Sequence, residues 1–274
     1  MADESKVLIR VSDLTKEFLL KPLTLFGKKK TLRAVDTVNF TINRGEVLGL
    51  VGESGCGKST IARLIMGLIE PTSGKIYYNF SSSFSNNSLL VKKSCQMIFQ
   101  DPYSSLNPRK TVYEILKLPV DTHLKLRIPE KTNLINKTLD LVGLTRSALQ
   151  KYPHEFSGGQ RQRIGIARAI IIKPELIICD EPVSALDVSI QAQIINLLSD
   201  LRYELNLSYL FISHDLSVVS HISDRVAVAN HGRIVELKDK TSLFSNPEHE
   251  YTKLLLSSVP IIPKILDISK KITG

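Results

Sequence analysis

Apolar and polar residues alternate along 7–18, VLIRVSDLTKEF, and again along 34–46, AVDTVNFTINRGE, with turn residues between the two stretches. A period of two predicts strands with one buried face. VLGLV (47–51) is apolar throughout, which predicts a short strand covered on both faces. A glycine-rich stretch follows. Then, in KSTIARLIMGLIE, Ile61, Leu64, Ile65 and Leu68 recur at helical spacing, so an amphipathic helix is expected, stopped by Pro71. NFSSSFSNNS (79–88) reads as a polar loop or hairpin tip, and QMIFQ (96–100) as another strand. The pattern from about 110 to 172 is mainly helical. ELIICD (175–180) and SYLFISH (208–214) read as buried strands. Between them Ile190, Ile194, Leu197, Leu201 and Leu205 mark one face of a long helix.

Strand, glycine loop, helix and further buried strands predict an α/β fold, a mostly parallel sheet covered by helices. The chain has 274 residues and 43% hydrophobic composition, enough for one unit with a large core. We expect that unit over 1–258, with a helical subdomain at about 101–168 and a tail at 259–274. No run reaches the ~18 uninterrupted apolar residues of a membrane span, and MADESKVLIR lacks the apolar core of a secretory signal. The expectation is a soluble, cytoplasmic chain. Cys56, Cys95 and Cys179 fit no zinc spacing and read as reduced thiols. The net charge of +9 permits phosphate ligands, nucleic acid or an anionic surface without choosing among them. Lys21, Lys28, Lys29, Lys30 and Arg33, in a stretch without acids, read as a solvated loop.

GESGCGKST (52–60) fits the phosphate-loop pattern G-x-x-x-x-G-K-[ST]. The candidate contacts are Gly52, Glu53, Ser54, Gly55, Cys56, Gly57, Lys58, Ser59 and Thr60. Glycines let backbone N–H groups converge on phosphate oxygens, and the following helix turns its positive end toward the same anion. Lys58 is placed for the β- and γ-phosphates, and the Ser59 hydroxyl for Mg²⁺. Cys56 reads as a small residue that fits the loop. LIICDE (176–181) is an apolar strand ending in two acids, and alternation sends them in different directions. Asp180 is then placed to hold Mg²⁺ and Glu181 to polarise the attacking water, beyond the carboxyl end of a strand. His214 closes a second strand and is placed to donate to the γ-phosphate; Gln100, at the end of MIFQ, is placed to reach the metal or the water. In HEFSGGQRQR (154–163), Ser157 can cap a helix, and Gly158 and Gly159 let a phosphate approach the backbone. A second anion site on one chain makes sense when it serves a nucleotide held by another chain.

FSGGQ resembles the signature turn of the ATP-binding cassette ATPases. With the phosphate loop, Gln100, ICDE, SALD (184–187) and His214 in the family's order, the resemblance runs from about Val7 to Pro260. It implies a P-loop fold with a RecA-like parallel-sheet core, an antiparallel β subdomain and an inserted helical subdomain. It also implies two cassettes stacked head to tail around two ATPs and Mg²⁺. Ser157, Gly158, Gly159 and Gln160 then contact the triphosphate bound by the other copy's Lys58. Asp187 sits at the seam, and Phe18 falls where the family places an adenine-stacking aromatic; by pattern alone Phe18 reads as a core residue.

FQDPYSSLNPRKTV (99–112), YPHEFSGGQRQR (152–163), DEPVSALDVS (180–189) and HEYTKLLLSSVP (249–260) are similar to the ATPases of dipeptide, oligopeptide and nickel importers. Glu250 departs from the proline of the usual HPYT, and the C-terminal cysteine cluster of many oligopeptide members is absent; the latter favours the dipeptide or nickel type. The implied partners are a second ATPase subunit, identical or homologous, two membrane permeases docking near Gln100 and 101–125, and an extracytoplasmic solute-binding protein, with no nucleic acid. The implied location is the cytoplasmic face of the plasma membrane. The rival readings are the ATPase of another transporter, a soluble cassette acting on ribosomes or DNA, and a P-loop kinase.

Overall fold

The computed structural model describes residues 6–20, 30–81 and 88–257. Among them the strands are β1 (Val7–Leu20), β2 (Lys30–Asn43), β3 (Val47–Val51), β4 (Ser73–Tyr78), β5 (Cys95–Ile98), β6 (Leu176–Asp180), β7 (Ser208–Ser213), β8 (Arg225–Asn230) and β9 (Arg233–Asp239). The helices are α1 (Lys58–Ile65), α2 (Ser88–Ser94), α3 (Pro102–Ser105), α4 (Val112–His123), α5 (Ile128–Leu141), α6 (Gly158–Ile170), α7 (Val188–Leu205), α8 (Leu216–Ile222), α9 (Lys240–Ser245) and α10 (Glu250–Ser257).

The larger sheet has the order β5-β6-β7-β3-β8-β9, parallel except for β9. Its central strands are buried on both faces, which is why β3 is apolar throughout and β6 is apolar up to its terminal acid. Val47 and Val51 of β3, Ile177 and Cys179 of β6, and Tyr209 and Phe211 of β7 pack into one cluster with α4, α5, α6 and α7. Their alternate neighbours Leu48, Leu50, Leu176, Ile178, Leu210 and Ile212 pack into another with α1 and the smaller sheet. That smaller sheet is antiparallel, in the order β2-β1-β4. The observed architecture is the expected one, a parallel α/β core with an antiparallel β layer and helices between β5 and β6.

Register decides where chemistry can gather. Val51 lies opposite Ser213, Asp180 opposite Ile212, and Ile98 opposite Cys179. The carboxyl ends of β3, β5, β6 and β7 therefore share one edge. The phosphate loop, Gln100, the Asp180–Glu181 pair and His214 all follow directly from strands ending there.

Several local readings change. Helix α1 ends at Ile65, before Pro71, because Gly67 adopts a left-handed φ of +64° that no helix continues through. Leu68 is consequently off the apolar face and 54% exposed. In α7 the buried face is Ile194, Ile195, Leu198 and Leu201; Ile190, Leu197 and Leu205 are only half-buried at its flanks. Arg33 stands on β2, not in a loop, and its guanidinium pairs with Glu17 at 2.8 Å and Asp36 at 3.1 Å. Lys30 opens the same strand, while Lys21, Lys28 and Lys29, the core of the 79–88 loop and the tail from 258 onward lie outside the described residues. The sequence reading assigned no element to β4, α2, β8 or β9, nor to the helices after β7.

Those late elements are fastened by one buried acid. Glu236 on β9 accepts the backbone N–H groups of Glu248 (2.9 Å) and His249 (3.0 Å) and pairs with Lys238 at 3.1 Å. Burial alone raises its pKa, but these donors outweigh it and hold the carboxyl at about 2. A pKa depressed on folding stabilises the protein above the ordinary value of 4.5, and that gain fades as pH falls toward 2. Glu236→Gln is expected to lower the melting temperature at neutral pH. The gap from the parent protein should narrow as melts are repeated below pH 4.5.

Candidate active site

The phosphate loop leaves β3 and enters α1 through close backbone contacts that require glycine. A Cβ on Gly52 would lie 2.1 Å from the Ala229 carbonyl oxygen, and one on Gly57 would lie 2.3 Å from that of Ala34. Both glycines have positive φ, +149° and +107°. The loop is thus clamped between β8 and β2. Space beside Gly55 is open, with nothing within 4 Å of a Cβ built there. Lys58 is buried, and its ammonium donates to the carbonyl oxygens of Gly52 (2.7 Å) and Glu53 (2.8 Å). Cys56 is buried within the loop.

The two adjacent acids do point apart. Asp180 Oδ1 accepts the Ser59 hydroxyl at 3.1 Å. Burial pushes its pKa above the ordinary carboxylate range, the Ser59 bond opposes that rise, and the Glu181 charge adds to it. Glu181 leaves the strand with a left-handed φ of +49°, costly for a residue with a Cβ, and its N–H donates to the Ile212 carbonyl at 3.0 Å. This turn directs the carboxylate across the sheet edge. Its Oε2 accepts Gln100 Nε2 at 3.0 Å and lies 3.1 Å from His214 Nδ1. Gln100, Glu181 and His214, from the ends of three different strands, thereby form one constellation beside Ser59 and Asp180.

Ser157 caps α6 in a reciprocal pattern: its Oγ accepts the Gln160 N–H at 3.4 Å, and its own N–H donates to Gln160 Oε1 at 3.1 Å. The Ser157 and Gln160 side chains face solvent. Among the described residues no hydrogen bond joins this turn to the phosphate loop of the same chain. Gly159 has a packing reason as well: a Cβ there would lie 2.6 Å from Ile190 Cγ2 on α7. Asp187, just before α7, is exposed. The buried Gln162 amide donates to the Pro182 carbonyl at 2.7 Å, tying α6 to the segment that follows Glu181.

A sequence profile described as ABC transporter matches residues 35–184. The chain belongs to the ABC transporter family. A second profile, for the C-terminal region of oligopeptide and dipeptide transporters, matches 235–274. The oligopeptide transport ATP-binding protein AppF of Bacillus subtilis is 52% identical, over 96% of this chain and 81% of its own length. OppF of Salmonella typhimurium is 50% identical, over 98% and 83%. The dipeptide transport protein DppF of Haemophilus influenzae is 46% identical, over 99% and 84%. Among solved structures, a dimeric ATP-binding cassette in a post-hydrolysis state with ADP and Pi superposes with a TM-score of 0.73 at 25% identity, covering 85% of this chain and 99% of that one. The cassette cbiO1 of Clostridium perfringens, part of the cbiONQ transporter complex, superposes at 0.74 with 27% identity, over 88% and 92%.

Two further features of this cassette bear on its site. Phe18 lies near the end of β1, 37% exposed, with Lys16 Nζ over its ring at 5.3 Å from the centroid, so the pattern-based reading of Phe18 as core is replaced by a partly exposed ring. The segment on either side of Gln100 is joined to α6 by two arginine–aromatic contacts that sequence reasoning missed. Arg161 lies 3.7 Å from the Tyr103 centroid and Arg168 5.8 Å from that of Phe99. Arg161 and Arg168 are seven apart on one helix face, the one signal that could have revealed the pair. Tyr103 remains 65% exposed.

Proposed function

We propose that this cassette binds and hydrolyses ATP to power a peptide importer. The supporting observation is the convergence of Gln100 and His214 on the Glu181 carboxylate, beside a clamped phosphate loop. The cargo class rests on the relatives, whose names specify oligopeptide or dipeptide transport. The sequence reading favoured the dipeptide or nickel type; the relatives named here specify oligopeptide and dipeptide transport, not nickel.

Lys58 grips the β- and γ-phosphates, and the first-turn N–H groups of α1 complete the cradle. Ser59 and Asp180 supply the hard oxygen donors that suit magnesium, and a cation there relieves the unfavourable burial of the Asp180 charge. When bound, that ion neutralises phosphate charge. Glu181 orients and polarises the attacking water, and Gln100 and His214 fix the carboxylate in place. His214, with 58% of its side chain exposed, is free to turn its second ring nitrogen toward a γ-phosphate. Phe18 offers its partly exposed ring to adenine.

A second cassette supplies Ser157, Gly158, Gly159 and Gln160 to the same triphosphate, with Asp187 at the seam, as the outward-facing turn suits. Two permeases dock at the 101–125 region, where Tyr103 is presented on Arg161. A solute-binding protein delivers the peptide on the far side, which places the cassette at the cytoplasmic face. No helix among the described residues is long and apolar enough to cross a membrane. The test is reconstitution with the two partner permeases. ATP hydrolysis is expected to rise when peptide-loaded binding protein is added. Hydrolysis that ignores peptide but responds to another solute overturns the cargo assignment.

A further inference from the structure

The phosphate loop is held from one more direction. Tyr251, on α10, accepts the Glu53 backbone N–H on its hydroxyl at 3.1 Å. The two residues are 198 apart in sequence. Glu53 is thereby gripped at both ends, since its carbonyl oxygen takes the Lys58 ammonium at 2.8 Å. One residue separates the C-terminal helix from the lysine assigned to the phosphates.

The helix that carries Tyr251 is itself firmly placed. Glu236 caps the turn that enters it through the Glu248 and His249 N–H groups, and His249 Nδ1 accepts the Tyr251 N–H at 3.1 Å. The Tyr251 ring packs with Leu255 and Leu256 against the larger core cluster. The half-buried ring is held by this packing, and its hydroxyl is left to meet the loop. The HEYT segment therefore divides its work: residues 248 and 249 anchor to β9, and Tyr251 reaches the nucleotide loop.

We infer that Tyr251 is a positioning residue for ATP binding: its hydroxyl holds the Glu53 peptide, and so the Lys58 end of the loop, in the shape that receives the triphosphate. This rests on the ATPase reading above. Its consequence is that the C-terminal region sets nucleotide affinity without touching nucleotide. The phosphate loop, a general device, is tuned here by a segment that a transporter-specific profile matches.

Tyr251→Phe removes one hydroxyl and keeps the ring. In the purified full-length chain, fluorescence titration with trinitrophenyl-ATP, competed by ATP, is expected to show affinity weakened roughly three- to tenfold, the worth of one neutral hydrogen bond. In the assembled transporter KM for ATP should rise by the same factor with kcat at saturation unchanged, and the melting temperature without nucleotide should stay within a degree or so of the parent's. Unchanged or tighter ATP binding overturns the inference, and so does a fall in kcat at unaltered KM. A lost melting temperature that alone accounts for the weaker binding also overturns it, because the role is then only structural. A parent chain that binds no ATP sinks the ATPase reading itself, a result separate from any behaviour of the variant.

Discussion

Glu181→Gln is expected to leave ATP binding intact while lowering turnover by about 10²–10⁴-fold, the usual span for a group that activates water. Glutamine keeps an oxygen for Gln100 to donate to, so the constellation should hold its shape. What it loses is the negative charge that polarises water and the capacity to take a proton. ATP should then drive association that is not undone, and the variant should elute as a dimer with ATP and as a monomer with ADP. Single-turnover kinetics and size-exclusion chromatography read the two effects separately. Turnover near the parent rate would falsify the role given to Glu181.

Ser157→Asp tests the contribution of the second copy. Aspartate caps a helix as well as serine does, so α6 should stay folded and the monomer should bind ATP normally. The new carboxylate faces a triphosphate only when two cassettes meet. ATP-dependent dimerisation should fail, and hydrolysis by the assembled transporter should drop by about 10²-fold or more, comparable with losing one aimed donor at a reacting phosphate or oxyanion. A heterodimer with Ser157→Asp in one copy and Lys58→Ala in the other sharpens the result. Both changes then damage the same composite site and leave its twin untouched, so the mixture should retain more activity than either variant alone. Full-rate hydrolysis by Ser157→Asp transporter defeats the two-copy account.

The chemistry was readable in the sequence because it is written in contiguous residues. A phosphate loop needs its glycines, lysine and serine in one turn, and the Asp180–Glu181 pair needs only a strand end. The shared sheet edge followed once 47–51, 96–100, 176–180 and 208–213 were recognised as strands. What stayed hidden depends on partners distant in the chain or on single backbone angles. Apolar spacing carried the first helix through to Leu68, but the left-handed Gly67 ends it at Ile65. The reading of Phe18 as core came from its place in an alternating run, whereas the strand outlasts the core and leaves that ring at the open end. Nothing in HEYT announces that Tyr251 bonds to Glu53, because Glu236 must first place the helix. Gly159 was credited to phosphate approach alone, and only the fold reveals Ile190 pressing against it.

In the two-copy arrangement proposed above, the amide of Gln162 on the Pro182 carbonyl would reach beyond one protomer. The turn that such a cassette would extend to its neighbour's nucleotide is lashed, within its own body, to the residue following its own Glu181. A tilt of that turn on loss of the neighbour's phosphate would then tug at the home carboxylate. The two chambers of such a pair would be geared together through each subunit's interior.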